Sequence, residues 1–120
     1  MSYELSVENV LFKRIVVIGL GLIGASIALA AKKRKLCKEV IGLNRQSSTL
    51  MSAKETGVID RAIENLSEIS SDLNGNDLIL ICVPTLEFES VLSECRRLLR
   101  DCVTITDVCS VKGYTVETAK

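Results

Sequence analysis

The chain has 120 residues, of which 48% are apolar and 25% charged, a length and composition typical of one folded soluble domain and unlike those of a disordered segment. Its 15 basic residues balance its 15 acidic ones, so it lacks the basic excess on which nonspecific nucleic-acid binding depends. It contains no histidine, which excludes the commonest general base and metal ligand from any site that these residues build.

The first half of the chain alternates strand-like and helix-like segments. Arg14–Gly19 is a β-branched run that predicts a strand, and Leu20–Leu36 predicts a helix of small and aliphatic residues. Glu39–Leu43 predicts a second strand. A polar turn separates it from a predicted helix over Thr49–Glu55, which Gly57 is expected to end.

The middle of the chain predicts a buried strand. Val58–Leu66 is ambiguous, a short edge strand at most, and Ser67–Leu73 predicts a brief helix. Asp77–Val83 is almost wholly apolar, as expected for a central parallel strand that is covered on both faces. Pro84 ends this strand, and Thr85 is a suitable N-cap for the helix that follows.

An amphipathic helix is predicted after Thr85. Its apolar side chains recur at helical spacing, at Phe88, Val91, Leu92, Cys95 and Leu98. Glu87 and Glu89 would complement the helix dipole near its start. Val103–Thr106 predicts a further strand, and another helix is expected from Lys112 onward.

The alternation of strands and helices predicts the fold class. A strand that is followed by a helix and then by another strand favours right-handed crossovers and parallel pairing. We therefore expect an α/β fold with a Rossmann-type, doubly wound parallel sheet. The sequence predicts that residues 1–120 form a single domain.

The five cysteines show no pattern of a metal site or a disulfide framework. They are odd in number and include no C-x-x-C pair, and the chain has no histidine to join them. They stand at Cys37, Cys82, Cys95, Cys102 and Cys109. The amino-terminal residues lack a basic leader, and the glycines within Ile15–Ala31 favour a buried strand and helix over a membrane span. We expect a cytoplasmic protein without a metal or a membrane partner.

Gly19, Gly21 and Gly24 form a G-x-G-x-x-G motif between the first predicted strand and the first helix. In a dinucleotide site the first glycine makes the turn, the second admits the pyrophosphate, and the third lets the helix approach the strand. The start of the helix, with Leu22 and Ile23, would present N–H groups to the phosphates. The motif therefore predicts a dinucleotide site, and a glycine turn that serves packing alone is the alternative.

Position 44 bears on the choice of dinucleotide. About twenty residues after the last glycine, NAD sites place an acidic residue that accepts from the ribose 2′-OH. Here that position is Asn44, and Arg45 can pair with a 2′-phosphate through its planar guanidinium. The further candidate contacts of this segment are Gln46, Ser47, Ser48 and Thr49. The segment predicts NADP, with NAD as the weaker alternative, and a plain polar turn with an N-cap remains open.

Three segments together resemble the prephenate/arogenate dehydrogenase family of tyrosine biosynthesis. They are RIVVIGLGLIGASIA at Arg14–Ala28, C-V-P at Cys82–Pro84, and T-D-V-C-S-V-K at Thr106–Lys112. The last segment is the most particular to this family, since many Rossmann dehydrogenases share the other two. Asn44–Thr49 is also similar to the corresponding segment of NADP-dependent arogenate dehydrogenases, and the resemblance extends from Lys13 onward.

The resemblance implies an oxidoreductase that moves a hydride from prephenate or arogenate to the nicotinamide, with loss of the ring carboxylate as CO₂. It places Ser110, the candidate catalytic residue, near the substrate's ring hydroxyl, and Val83 and Pro84 in the cofactor pocket. Asp107 is a candidate cofactor contact, because 107–110 follow a strand at the edge where α/β sheets bind ligands. A plain strand-to-helix turn with Ser110 as an N-cap is the alternative.

The family's H-P motif, whose histidine is the general base, is missing from these 120 residues. So is the helical domain that supplies a substrate-binding arginine and the dimer interface. The resemblance therefore implies the amino-terminal part of a homodimeric dehydrogenase, which by itself would bind NADP without turnover. A non-enzymatic regulatory module that senses a dinucleotide is the rival from another class. The T-D-x-x-S-V-K segment favours the dehydrogenase.

Overall fold

The computed structural model describes residues 11–99 and 103–107, in which five strands alternate with three helices. The predicted helix from Lys112 lies outside the described residues. The strands are β1 (Phe12–Ile18), β2 (Cys37–Leu43), β3 (Arg61–Ile63), β4 (Asp77–Ile81) and β5 (Thr104–Asp107). The helices are α1 (Leu22–Lys33), α2 (Ser47–Glu55) and α3 (Thr85–Leu98), and two 3-10 turns, Leu66–Glu68 and Ser70–Asp72, lie between β3 and β4.

All the strand pairs of the sheet are parallel, in the order β3-β2-β1-β4-β5. The chain moves outward from β1 through β2 and β3, and then returns to place β4 and β5 on the other side of β1. This arrangement confirms the predicted Rossmann-type, doubly wound α/β fold. The carboxyl ends of β1 and β4 flank the point where the order reverses, which is where open sheets of this type bind ligands.

Successive residues of the central strands point to opposite faces of the sheet, and both faces are buried. On one face, Val16 and Ile18 of β1 belong to the same apolar cluster as Phe88 and Cys95 of α3. On the other face, a second cluster joins residues of β1 to α1 and α2, namely Ile15, Val17, Ala28, Ala31, Leu50 and Ala53. Burial on both faces explains why the β4 segment is apolar without alternation.

Helix α1 is shorter at both ends than the predicted helix over Leu20–Leu36. At its start, Gly21 holds an extended conformation and serves as the N-cap residue. At its end, Lys35 adopts a φ of +56°, and the Leu36 N–H donates to the Ala31 carbonyl at 3.0 Å. Backbone hydrogen bonds of this pattern end a helix, so the basic run at 32–35 lies at its carboxyl terminus.

Two predicted helix signals have different outcomes. Gly57 ends α2 as predicted, with a φ of +83° and its N–H donating to the Lys54 carbonyl at 3.2 Å. The assignment of Thr85 as an N-cap is wrong, because Thr85 is the first residue of α3 and Pro84 is its cap. The Pro84 carbonyl already accepts from the Glu87 N–H at 2.9 Å. The helix therefore begins one residue earlier than it would if the Thr85 hydroxyl were its cap.

Asp60 connects the end of α1 to β2. Its carboxylate accepts from the Lys32 ammonium at 2.8 Å and from the Val40 N–H at 2.8 Å. Burial raises the pKa of Asp60, but the hydrogen bonds from Lys32 and Val40 and the nearby positive charges outweigh burial. In the folded protein the pKa of Asp60 therefore lies below the ordinary value of an aspartate.

Asp60→Asn is expected to be less stable than the unmodified chain at neutral pH, with a difference that shrinks in acid. Because the folded pKa is lowered, the carboxylate stabilises the fold above the unfolded pKa of about 3.9 and loses this contribution as the pH falls through the folded pKa. Urea unfolding of both proteins from neutral to acidic pH checks this. A stability difference that does not change with pH would contradict the electrostatic explanation.

Candidate functional site

A cleft of about 1150 Å³ opens at the carboxyl edge of the sheet, beside the point where the strand order reverses. Its walls are the glycine loop after β1, the turn after β2, the loop after β3, and the segment that leads from β4 into α3. These four segments are far apart in sequence. They meet because the carboxyl ends of parallel strands lie at the same edge of the sheet. Open α/β sheets bind ligands at this edge, beside the reversal of strand order, so the cleft is the leading candidate for a binding site.

Gly19 and Gly24 hold the turn and the helix against the sheet. Gly19 follows β1 with a φ of +98°, and a Cβ atom there would lie 2.6 Å from the Cys82 carbonyl oxygen. Gly24 lies on α1, and a Cβ atom there would collide with the Gly19 carbonyl oxygen. The predicted roles of these two glycines, in the turn and in the close approach of helix to strand, agree with this geometry.

Gly21 faces open space, since a Cβ atom at this position would have no neighbour within 4 Å. It is the N-cap residue of α1, whose first turn contains no acidic residue and receives no side-chain cap. The first N–H groups of a helix have no partner within the helix and carry a partial positive charge. The cleft therefore offers an anion a helix terminus and an approach that no side chain blocks.

Asn44 connects the turn after β2 to the glycine loop. Its side-chain oxygen accepts a hydrogen bond from the Leu20 N–H at 2.8 Å. Its side-chain nitrogen donates to the Gln46 carbonyl oxygen at 3.4 Å. The carboxamide thus holds the glycine loop close to the turn that carries Arg45. Asn44 lines the cleft and also positions two of its walls.

Arg45 and Glu87 face each other from two walls of the cleft. The Arg45 Nη1 lies 2.8 Å from the Glu87 Oε1, with 80% of the arginine side chain and 34% of the glutamate side chain exposed. Arg45 comes from the turn after β2, and Glu87 from the first turn of α3. The cation predicted for a 2′-phosphate is present, and it is shared with a carboxylate.

Most of the sequence-predicted residues meet in this cleft. Those that line it are Gly19, Gly21, Leu22, Ile23, Gly24, Asn44, Arg45, Gln46, Thr49, Val83 and Pro84. Ser47 and Ser48 lie in the first turn of α2, outside the lining, and Ser48 borders a smaller groove between α1 and α2. Asp107 ends β5 in register with Ile81, at the same edge of the sheet but outside the lining. Ser110 lies outside the described residues.

The far wall of the cleft was not predicted from the sequence. It is built from the loop after β3 and from the first turns of α3, with Glu64, Asn65, Leu66, Glu87, Ser90, Val91 and Glu94 among its residues. The loop is held by a capping box, in which the Glu68 carboxylate accepts from the Asn65 N–H at 2.9 Å. The signal that could have found this wall is the strand order, which brings both segments to one edge.

Cys95 lies at the base of the cleft and is fully buried. Burial, together with the charge of Glu94, raises the pKa of the Cys95 thiol to about 11. The thiol is therefore neutral at physiological pH and packs as a small apolar side chain. In residues 11–99 and 103–107, no histidine, cysteine, aspartate or glutamate cluster could hold a metal ion, and no helix is long and apolar enough to cross a membrane.

Sequence comparison finds relatives over most of the chain. A family model described as the nucleotide-binding domain of prephenate dehydrogenase matches residues 27–120. The prephenate dehydrogenase of Lactococcus lactis subsp. cremoris is 35% identical over 108 residues, which is 89% of this chain and 29% of that protein. The prephenate dehydrogenase of Bacillus subtilis is 33% identical over 106 residues, or 88% and 28% of the two chains. The chain thus spans less than a third of the length of these curated relatives.

Structure comparison gives similar results. The crystal structure of Synechocystis arogenate dehydrogenase superimposes with a TM-score of 0.69 and 34% identity, over 79% of this chain and 32% of that chain. A prephenate dehydrogenase from A. aeolicus, in complex with hydroxyphenyl propionate and NAD+, gives a TM-score of 0.72 over 80% of this chain and 33% of that chain. The second pair is 18% identical, so this likeness bears on the fold alone.

Proposed function

The chain belongs to the prephenate dehydrogenase family, whose nucleotide-binding domain it matches, and from this we propose that its cleft binds a nicotinamide adenine dinucleotide. The observation that carries the proposal is the open space at Gly21 beside the amino terminus of α1. A pyrophosphate can approach the backbone there and accept from the N–H groups of the helix. The match to a family model that is described as a nucleotide-binding domain supports a ligand of this class.

The residues of the cleft fit the parts of such a cofactor. The loop from Gly19 to Gly24 would hold the pyrophosphate, and Asn44 and Arg45 would lie at the adenosine ribose. Val83 and Pro84, which follow β4 into the cleft, would line the cofactor pocket. When bound, the nicotinamide supplies the hydride acceptor, while the residues of this chain bind and orient it. Asp107, at the end of β5, remains a proposed cofactor contact, and Ser110, which lies outside the described residues, remains the proposed catalytic residue.

We further propose that the cofactor is NADP in preference to NAD. Asn44 brings no carboxylate to the end of β2, so nothing in that position repels a 2′-phosphate. Among the described residues that line the cleft, Arg45 is the sole cation, and 80% of its side chain is exposed. A guanidinium at this position can form a forked, charge-assisted pair with a phosphate, which the 2′-OH of NAD cannot match.

Arg45→Ala is expected to weaken NADP binding by about tenfold or more and NAD binding by less than about twofold, because a hydrogen bond to a charged group contributes about 1.5–3 kcal/mol. Calorimetric titration of both cofactors into both proteins measures this. Arg61→Ala is the matched control, since Arg61 lies on β3, pairs with Glu39 and does not line the cleft. Equal losses for the two cofactors would contradict a role at the 2′-phosphate, and no binding of either cofactor would contradict the proposed function.

For the protein that contains this domain, we propose oxidation of prephenate or arogenate with loss of CO₂. The family match and the likeness to the Synechocystis arogenate dehydrogenase support this reaction over a dinucleotide sensor without activity. The described residues of this chain contribute the cofactor side of the site. A cytoplasmic homodimer, expected from the family resemblance, fits the same proposal. Assays of the whole protein that contains this domain, with both substrates and both cofactors, test the activity, and failure of that protein to reduce either cofactor would contradict the proposal.

A further inference from the structure

We infer that Glu87 is a specificity-determining residue, which holds Arg45 across the cleft and so reduces the preference for NADP over NAD. This inference rests on the proposed function, because it concerns the same site. The inference extends the proposed function by assigning the cofactor preference to two residues on opposite walls of the cleft. The end of β2, where sequence reasoning looks for the determinant, contributes only one member of this pair.

The geometry of the ion pair supports the inference. The Arg45 Nη1 and the Glu87 Oε1 are 2.8 Å apart, the distance of a charge-assisted hydrogen bond. Arg45 extends from the exposed turn after β2, whereas Glu87 is on the first turn of α3, where the helix backbone fixes it. The ion pair therefore holds the guanidinium at the wall of the cleft that α3 forms.

The charges of the cleft leave Arg45 without a substitute. The described residues that line it include three glutamates, Glu64, Glu87 and Glu94, and a single cation. Glu94 already pairs with Arg97 at 3.1 Å, and Glu87 is the carboxylate that Arg45 contacts. A 2′-phosphate that enters the cleft must compete with Glu87 for this guanidinium.

The competition affects one cofactor and not the other. A phosphate monoester at neutral pH carries about 1.5 to 2 negative charges, and its binding requires the donors that Glu87 holds. The 2′-OH of NAD is neutral and needs no cation. Because 80% of the Arg45 side chain is exposed and Glu87 is only partly buried, the ion pair can open at a small cost, comparable to that of surface pairs. Glu87 should therefore weaken NADP binding moderately and leave NAD binding unaffected.

Glu87→Gln tests the inference in the 120-residue chain, by calorimetric titration with NADP and with NAD. Removing the charge should tighten NADP binding about twofold to fivefold, the range that corresponds to an exposed ion pair, and leave NAD binding unchanged. Glu89→Gln is the matched control. It removes the same charge two residues away on the same helix, and Glu89 is exposed and does not line the cleft.

The same change in an Arg45→Ala background separates restraint of Arg45 from direct repulsion of the phosphate. If Glu87 acts through Arg45, Glu87→Gln should have no effect on NADP binding once Arg45 is gone. A gain of equal size in that background, a gain for NAD as large as for NADP, or an unchanged ratio of the two affinities would each overturn the inference. Absence of binding by the unmodified chain would overturn the proposed function, and the inference with it.

Discussion

Gly24→Ala is expected to destabilise the chain by about 3 kcal/mol or more, a large part of the 5–15 kcal/mol that typical domains possess. The added methyl group would collide with the Gly19 carbonyl oxygen and would lie 3.3 Å from the Cys82 Cβ. Neither the glycine turn nor the end of β4 can yield as a flexible side chain would, so α1 must move away from the sheet. Urea unfolding followed by circular dichroism measures the loss.

Gly21→Ala is the matched control, since it adds the same methyl group three residues earlier in the same glycine motif. Nothing lies within 4 Å of the new Cβ, and the φ of −71° at Gly21 suits an alanine. The fold should keep its stability or gain about 0.5 kcal/mol, while dinucleotide binding should weaken by more than about tenfold. An equally stable Gly24→Ala protein would contradict the close packing of α1. Unchanged binding by Gly21→Ala would place the pyrophosphate elsewhere.

These two glycines show why part of the site could be predicted from the sequence. The G-x-G-x-x-G motif is local, so strand, turn and helix N-terminus all lie within one short segment of chain. The same holds for β4, where burial on both faces leaves an uninterrupted apolar run that ends at Pro84. These elements depend on neighbours in sequence and were therefore predicted, and the fold class followed from the alternation of strands and helices.

The rest depends on contacts between distant segments. β3 has three residues, too few for a periodic signal, and the segment after it forms two 3-10 turns in place of the predicted brief helix. Glu87 was predicted as a residue that complements the helix dipole, which describes its helix but not its contact with Arg45. Asn44 was predicted as a cofactor contact, and its hydrogen bond to the Leu20 N–H joins segments that only the fold brings together.

The contacts of Asp77 also could not be predicted from the sequence. The sequence places this carboxylate at the start of an apolar strand but does not show which cation neutralises it. It is fully buried and lies beside Arg14 in the register of β1 and β4, at the edge of the sheet opposite to the cleft. Its two oxygens accept from the Arg14 Nε and Nη2, both at 3.1 Å, and one also accepts from the Asn74 N–H at 2.9 Å. Arg14 donates in addition to the Asp72 carbonyl at 2.6 Å.

Asp77→Ala is expected to lower the free energy of unfolding by about 3–5 kcal/mol, because it leaves the largely buried Arg14 cation without its counter-charge. The double variant Arg14→Met/Asp77→Leu removes both charges and should recover much of this loss, since a buried ion pair gains little over apolar side chains of similar volume. Urea unfolding of the three proteins gives both values. A double variant as unstable as Asp77→Ala would show that the hydrogen bonds to the loop at Asn74, and not the unpaired cation, account for the loss. The folded double variant should bind the dinucleotide as tightly as the unmodified chain does. The Arg14–Asp77 pair lies near the amino ends of β1 and β4, whereas the glycine loop follows the carboxyl end of β1.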